Sequence, residues 1–549
     1  MFTGKQLQSS LFEASLWLAD AKVQRLRDTW AWAFREKALA LIDADAFADL
    51  YCADNGRPSK PVETVVAVLI LKEMWDLTDA ETVYRVDFDL GWHMALALAP
   101  EDAHCCQKTL HNFRAKLMTH ARGRALFAET TDRVLAALGT DVRRQREDST
   151  HILSNFRHLS RLQLFCETIR LFLEAVRRLD DARYASIAAG LRGRYIKEES
   201  EGAPYGDARS SEVRRRLGVC ARDVWRLLDR FRGDTAVAAL PACAALQRLF
   251  LEQCEVDPSA QADADDAAQG DAPVAVKPAK QVGPDTMQTP HDPTVSYGHK
   301  GQGYEVQIVE TFGQPEGPEI ITHVAVTPSC SSDQHAVVPA LEALEARGLA
   351  PQTLVADAGY GATENVMACA ERGIEQISPV PGRPTPPEEG LTVGDFAIDP
   401  VHDTPILCPD GRTSERQTRH PDTGVIEAVF AAADCAACPQ RDACPTRPHQ
   451  DGTRTLKTTG YDAVLQRRRR AQETPQFQQA YDPRAGIEAT NSELKRGQGL
   501  GQVRVRGAPA VELAVYLKAL ACNVKRMVNY STNEARKARR QQEMAPAMA

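Results

Sequence analysis

The sequence predicts a multidomain chain of the α and α/β classes, helical in its N-terminal part and built on a mixed sheet further on. Three observations predict this. At 549 residues the chain exceeds one ordinary domain. Apolar residues recur at helical spacing up to about residue 252, then alternate or cluster in short runs beyond about residue 290, as strands do. Between these regions, residues 256–290 are rich in Ala, Asp, Gln and Pro with few large apolar side chains, which predicts a disordered linker.

The elements follow in order. Residues 1–140 read as a helical N-terminal domain, with an apolar helix over Pro61–Trp75. Thr78 and Glu81 have the spacing of a capping box, in which hydroxyl and carboxylate satisfy reciprocal backbone donors. A third helix, Gln107–Leu117, carries Lys108, Arg114 and Lys116, so the domain is either a DNA-binding module or a plain helical bundle. Residues 141–152 are polar and contain Asp148; residues 153–255 form a helical insertion with amphipathic stretches such as LQLFCETIRLFLEAVRRL. Over 291–380 come strands Gly303–Glu310 and Glu319–Val326, helix Asp333–Arg347, strand Gln352–Ala356, helix Thr363–Arg372 and strand Ile374–Val380. A Cys-rich insertion (381–470), a polar-faced helix with a basic segment (471–530) and a tail (531–549) complete the chain.

The composition, 43% hydrophobic and 26% charged, is ordinary for a globular protein. The net charge of −8 hides a segregation. Residues 252–272 are acidic, whereas the chain beyond Tyr461 carries Arg467–Arg470, Lys495, Arg496, Arg504, Arg506, Lys525, Arg526 and Arg536–Arg540. A basic stretch of this kind suits contact with a phosphate backbone. There is no signal-peptide pattern and no apolar run near the ~20 residues that span a bilayer, so a soluble, cytoplasmic protein is expected. The 14 cysteines are then free thiols or metal ligands.

The sequence PQFQQAYDPRAGIEATNSELKRG, residues 475–497, reads as a helix. At about 100° per residue, Tyr481, Arg484, Glu488 and Lys495 fall within an arc of roughly 60°. Ile487, Thr490 and Leu494 point elsewhere, toward a core. One carboxylate therefore stands among two cations and a phenol; an exposed helix with an i,i+4 Arg–Glu pair has the same pattern. Pro483 places the true helix start nearer Arg484.

Here a resemblance becomes specific. Y-x2-R-x3-E-x6-K, matched at Tyr481, Arg484, Glu488 and Lys495, resembles the signature of bacterial insertion-sequence transposases with a DDE triad. LVADAGY resembles their second-aspartate motif, and DPTVSYGHKGQGYEVQI the strand before it. EDSTHILSNFRHLSRL resembles a first-aspartate segment, GLGQVRVRGAPAVELAVYLKALACNVKRM their C-terminal segment, and FADLYCADNGRPSKPVETVVAVLILKEM their helical domain. The β-β-α-β-α-β order then matches a ribonuclease H-like core lacking its first strand. The resemblance implies that residues 141–152 are the first core strand, set apart from the rest of the core by 153–255 and the linker, and that Asp148, Asp357 and Glu488 form a triad holding two Mg²⁺ ions, with Mn²⁺ able to substitute. Carboxylates suit such ions because two-metal phosphoryl transfer needs oxygen ligands on both the attacking and leaving sides. It further implies that Tyr481, Arg484 and Lys495 contact DNA, with Arg496, Arg504 and Arg506 in the basic segment, and that a homodimer or larger assembly pairs the element's ends. Asp148 has two competitors for the first position, Glu147 and Asp292.

Cys408, Cys435, Cys438 and Cys444 form C-x26-C-x2-C-x5-C, a set of soft ligands suited to a structural, tetrahedral Zn²⁺. Cys105 and Cys106 beside His104 read as packing instead. Three functions compete: transposition by end cleavage and strand transfer, a DNA nuclease without strand transfer, and an inactive DNA-binding descendant of a transposase.

Overall fold

The computed structural model describes residues 19–51, 60–199, 204–207, 209–257, 272–381, 391–399 and 404–544. Its central sheet contains β1 (Arg144–Ile152), β2 (Gly301–Thr311), β3 (Ile321–Pro328), β4 (Thr353–Ala356) and β5 (Glu375–Ile377). The order is β3-β2-β1-β4-β5, with β1, β2 and β3 antiparallel and β4 and β5 parallel to β1. A short strand, Ser296–Gly298, pairs with the start of β2. The chain is thus a mixed α and α/β protein with a ribonuclease H-like strand order, and the strand missing from the apolar pattern is the polar segment around Asp148. Residues Gln145 to Thr150 are all buried and all polar, so no apolar period marks β1. Pairing along both its edges satisfies its backbone instead.

The N-terminal region is helical, including α1 (Val62–Met74) and α2 (Arg122–Leu138). Thr78 and Glu81 form the capping box: the Glu81 N–H donates to Thr78 Oγ1 at 3.2 Å and the Thr78 N–H to Glu81 Oε2 at 2.8 Å. On one face of the sheet lie α3 (Val337–Glu345) and α4 (Thr363–Glu371), whose Leu341, Leu344 and Cys369 pack with Val309, Leu354 and Tyr360. On the other lie α5 (Ile487–Gly497) and the long α6 (Ala508–Met544). Ile487 and Leu494 of α5, Leu520 and Val524 of α6, Val306 and Ile308 of β2, and Leu69 and Ile70 of α1 belong to one continuous apolar core. The N-terminal helices and the sheet are therefore fastened together through α6, which packs on both α1 and α2.

Helices within 161–253 have a core of their own around Phe165, Ile169, Phe172, Val224 and Leu246. The disordered linker expected over 256–290 needs correction where it is described, over 272–290. Val274–Val276 pairs with Cys254–Val256, and Met287 is fully buried against the helical insertion. One valine and one methionine suffice because a preformed helical surface receives them, a tertiary effect that local composition does not reveal. The middle of that stretch, 258–271, lies outside the described residues.

The Cys-rich insertion also has more of a core than its composition suggests. A four-stranded sheet built from Arg416–Arg419, Val425–Phe430, Arg447–Pro448 and Arg454–Thr459 buries Ile426, Phe430 and Leu456 against Phe396, Ile398 and Ile406.

Candidate active site

The parallel register of β1 and β4 sets Glu147 opposite Ala356, so Asp148 and Asp357 are the residues that follow this last pair on the two adjacent strands. β4 ends at Ala356, and Asp357 caps the turn that follows, its Oδ1 accepting from the Gly359 N–H at 2.7 Å. Glu488 lies in the first turn of α5, mostly exposed. All three carboxylates meet the same guanidinium. Arg484 reaches Asp148 Oδ1 at 3.1 Å, Asp357 Oδ2 at 3.6 Å and Glu488 Oε1 at 2.8 Å. Asp148 is only 7% exposed, and its burial pushes its carboxyl pKa up against the opposing pull of Arg484. Burial lowers the Arg484 pKa, but Asp148, Asp357, Tyr481 and Glu488 outweigh it and the net shift is upward.

The helix expected over 475–497 is not continuous. It runs Pro475–Tyr481, tightens to a 3-10 turn over Asp482–Gly486 and resumes as α5 at Ile487. Pro483 is the physical reason, because it has no N–H and its ring crowds the preceding turn. The break leaves Arg484 in the tight turn and still four residues from Glu488, so their pairing survives.

A buried ionic network fixes α5 to the sheet, and nothing in the sequence pattern pointed to it. Glu310 of β2 is fully buried and accepts from Arg146 Nη2 at 2.7 Å, Arg526 Nη1 at 3.1 Å and Thr490 Oγ1 at 2.6 Å. Arg146 also bonds Glu319 and the Pro483 carbonyl, and Arg526 bonds Glu493 of α5. A side chain at Gly486 would collide with the Arg146 guanidinium, which explains the glycine two residues after Arg484. Asn491 of α5 was also missed: its Nδ2 donates to Asp148 Oδ2 at 3.0 Å. Its i,i+3 spacing from Glu488 was the available signal.

The two competitors of Asp148 have other surroundings. Glu147 faces the opposite side of the sheet, paired across β2 with Val309 of the α3–α4 core. It is fully buried, neither oxygen has a hydrogen-bond partner among the described residues, and burial, with Asp333, Asp148 and Asp357 nearby, pushes its carboxyl up to about 8. Asp292 is fully buried and saturated: it accepts from Ser154 Oγ at 2.5 Å, Tyr304 Oη at 2.8 Å, Thr294 Oγ1 at 2.8 Å and the Gly507 N–H at 3.0 Å. It joins four segments and leaves no oxygen for a ligand.

The basic and aromatic residues divide into two groups. Tyr481 stacks on Phe477 and packs beside Phe312, Val355 and Ile377 at the sheet's edge. Lys495 and Arg496 are exposed on α5. Partial desolvation, with Lys300 nearby, lowers the Lys495 pKa while Glu305 and Asp148 oppose the shift. Other cations are already engaged. Arg504 forms two bonds to the Asp76 carboxylate, at 2.7 and 3.0 Å, and Arg506 bonds the Asn155 carbonyl. Within the Arg467–Arg470 run, Arg468 bonds the carbonyls of Gly361 and Ser378 and Arg470 bonds Asp395, so two of the four guanidinia brace the Cys-rich insertion. In the N-terminal helices, Arg114 pairs with Asp79 and Lys116 with the Leu50 carbonyl.

Cys408, Cys435, Cys438 and Cys444 line one cavity. Cys408 opens a turn that returns through Gly411 at φ +79°, a conformation that favours glycine. Burial pushes the Cys435 thiol up, with the other three thiols adding to the effect. As placed, no group of three or more His, Cys, Asp or Glu side chains among the described residues is arranged to hold a metal ion. The donor chemistry nevertheless fits at both places: hard oxygens gathered about one positive charge at Arg484, and four soft thiols facing one cavity. Among the described residues, no helix is long and apolar enough to cross a membrane.

Three carboxylates thus meet at one guanidinium on a sheet of ribonuclease H-like strand order. Residues 407–528 match the family described as Transposase DDE domain, and residues 23–116 match the Transposase domain family DUF772. Both matches are to transposase families, and they support an insertion-sequence transposase of the DDE class. The first match contains Glu488 and the four cysteines; the strands with Asp148 and Asp357 lie outside both. No curated protein matches the chain.

Proposed function

We propose that this chain is a DDE transposase that cleaves DNA at the ends of its element and joins the resulting 3′-hydroxyls to target DNA, using Asp148, Asp357 and Glu488. One observation carries the reading: carboxylates from three distant segments converge on a single cation, Arg484. Fully folded carboxylates repel unless something positive is shared between them. Asp148, Asp357 and Glu488 would hold two Mg²⁺ ions, which supply Lewis-acid activation of the nucleophile and of the leaving oxygen. The chain's own residues do the rest. The rigid β1–β4 pair keeps Asp148 and Asp357 at fixed spacing, and the Glu310 network sets the height of α5 and so of Glu488. Lys495, exposed near Asp148 and Lys300, binds the DNA backbone beside the scissile phosphate. Arg484, released from the carboxylates, takes a phosphate oxygen, and Tyr481 adds a further contact. The four cysteines bind a structural Zn²⁺ that tightens the insertion, and two copies pair to bring both DNA ends together.

The test is an assay with duplexes carrying the terminal repeats read from DNA flanking the gene, Mg²⁺ and a plasmid target. Joined product is expected. Cleavage alone would indicate a nuclease, and binding alone an inactive descendant; either result overturns the proposal.

A further inference from the structure

We propose that Asn491 is a positioning residue that holds the Asp148 carboxylate when Arg484 leaves it; this rests on the reading of Asp148 as part of the metal-holding triad. The two oxygens of Asp148 are gripped by two residues of one segment. Arg484 donates to Oδ1 at 3.1 Å and Asn491 to Oδ2 at 3.0 Å. These grips differ in kind. Arg484 carries a full positive charge shared with Asp357 and Glu488, so an incoming cation competes with it directly. Asn491 is neutral, donates to the other oxygen and opposes a cation with no charge of its own.

The other end of the carboxamide supports this role. Asn491 Oδ1 is buried and has no hydrogen-bond partner among the described residues. A buried acceptor left unpaired is destabilising. Turning the amide over would bring that oxygen against Asp148 Oδ2, placing two acceptors at hydrogen-bond distance. The bond to Asp148 therefore fixes the amide's orientation, and the amide in return fixes the carboxylate's rotation. The neighbours also hold Asn491 in place, because Thr490 is hydrogen-bonded to Glu310 and Glu493 to Arg526. Among the described residues, Arg484 and Asn491 are the side chains that donate to Asp148, so Asn491 is the donor that remains once Arg484 is displaced.

The experiment measures Mn²⁺ affinity of the full-length, DNA-free chain by calorimetric or paramagnetic titration, for wild type, Asn491→Ala, Asn491→Leu and Asp148→Asn. Partners that orient a ligand change metal affinity by roughly 10–100-fold, and a loss of that size is expected in both Asn491 variants. End cleavage by the same variants should show a raised Mg²⁺ requirement, with the rate at saturating Mg²⁺ within about threefold of wild type. Asn491→Leu keeps the side chain's bulk, so a purely structural role would lower its melting temperature and leave the affinity untouched. Unchanged affinity in the Asn491 variants, with affinity lost in Asp148→Asn, overturns the role of Asn491. Unchanged affinity in Asp148→Asn overturns the triad reading itself and this inference with it.

Discussion

Removing Arg484 should make the DNA-free protein bind divalent cations more tightly. The guanidinium stands where the three carboxylates converge, so a metal ion and Arg484 compete for the same negative charge. The competition is worth most at Asp148, where the two side chains are 10% and 18% exposed. A charge-assisted bond in that setting contributes about 1.5–3 kcal/mol. The pair with Glu488, whose side chain is 67% exposed, adds no more than about 0.5 kcal/mol after solvent screening. Displacing Arg484 therefore costs the metal about 2–3 kcal/mol, and each 1.4 kcal/mol is tenfold in affinity. Part of that cost returns when the released guanidinium is hydrated, so Arg484→Ala should tighten Mn²⁺ binding by roughly 10- to 100-fold. The same variant, without metal, leaves three carboxylates facing one another and should melt at a lower temperature. Mn²⁺ should then raise that temperature more steeply than in wild type. Titration calorimetry and thermal melts across a Mn²⁺ series measure both effects. Unchanged or weaker Mn²⁺ binding would refute the argument, because it would mean that Arg484 does not hold the metal's place.

Other outcomes follow from the same geometry. Asp357→Asn and Glu488→Gln should each lower joined product by more than about 100-fold, while Asp292→Asn should lower the melting temperature through loss of charge-assisted bonds; full activity in Asp357→Asn would contradict the triad. Glu310→Ala leaves Arg146 and Arg526 without their shared carboxylate and should destabilise the fold by about 3–5 kcal/mol, measured by urea unfolding. His323 is buried in β3 and its pKa is lowered to about 4, by burial first and then by Arg124 and Arg347. Its neutral form is thus the native one, and its contribution is complete above the unfolded value near 6.5 and lost as pH falls toward 4. The loss amounts to at most about 3 kcal/mol, and His323→Gln should flatten the pH slope of stability in that window. Purified protein should contain about one equivalent of zinc per chain, measured by elemental analysis; less than about half would count against the cysteine site.

Much of the fold was legible because apolar period and turn chemistry are local. The strands and helices from β2 to β5 were readable from alternation and helical spacing, and Asp357 from its place at a strand end. β1 was not readable in that way. Its buried side chains are Gln145, Arg146, Glu147, Asp148, Ser149 and Thr150, and a polar strand becomes buried only when distant partners neutralise it. Only motif resemblance pointed to Asp148. The run Arg467–Arg470 misled for the converse reason: charge was legible, but the carbonyls and carboxylate that receive Arg468 and Arg470 come from other segments. Asn491 had the right spacing and was passed over because a neutral amide on a polar helix face is ordinary.

The buried charges on the two central strands obey opposite rules, and the contrast separates support from chemistry. Glu310 is closed: two arginines and a threonine occupy its oxygens, each partner is anchored elsewhere, and no ligand can replace one without leaving another charge unpaired. Asp148, one strand away, is open: its charged partner sits on a tight turn beside an exposed glutamate, with a neutral amide ready on the other oxygen. A site that must take up cations and phosphate needs the second kind of contact, held firmly enough to fold and loosely enough to exchange. The first kind, on β2 and α6, keeps the second in register while the exchange takes place.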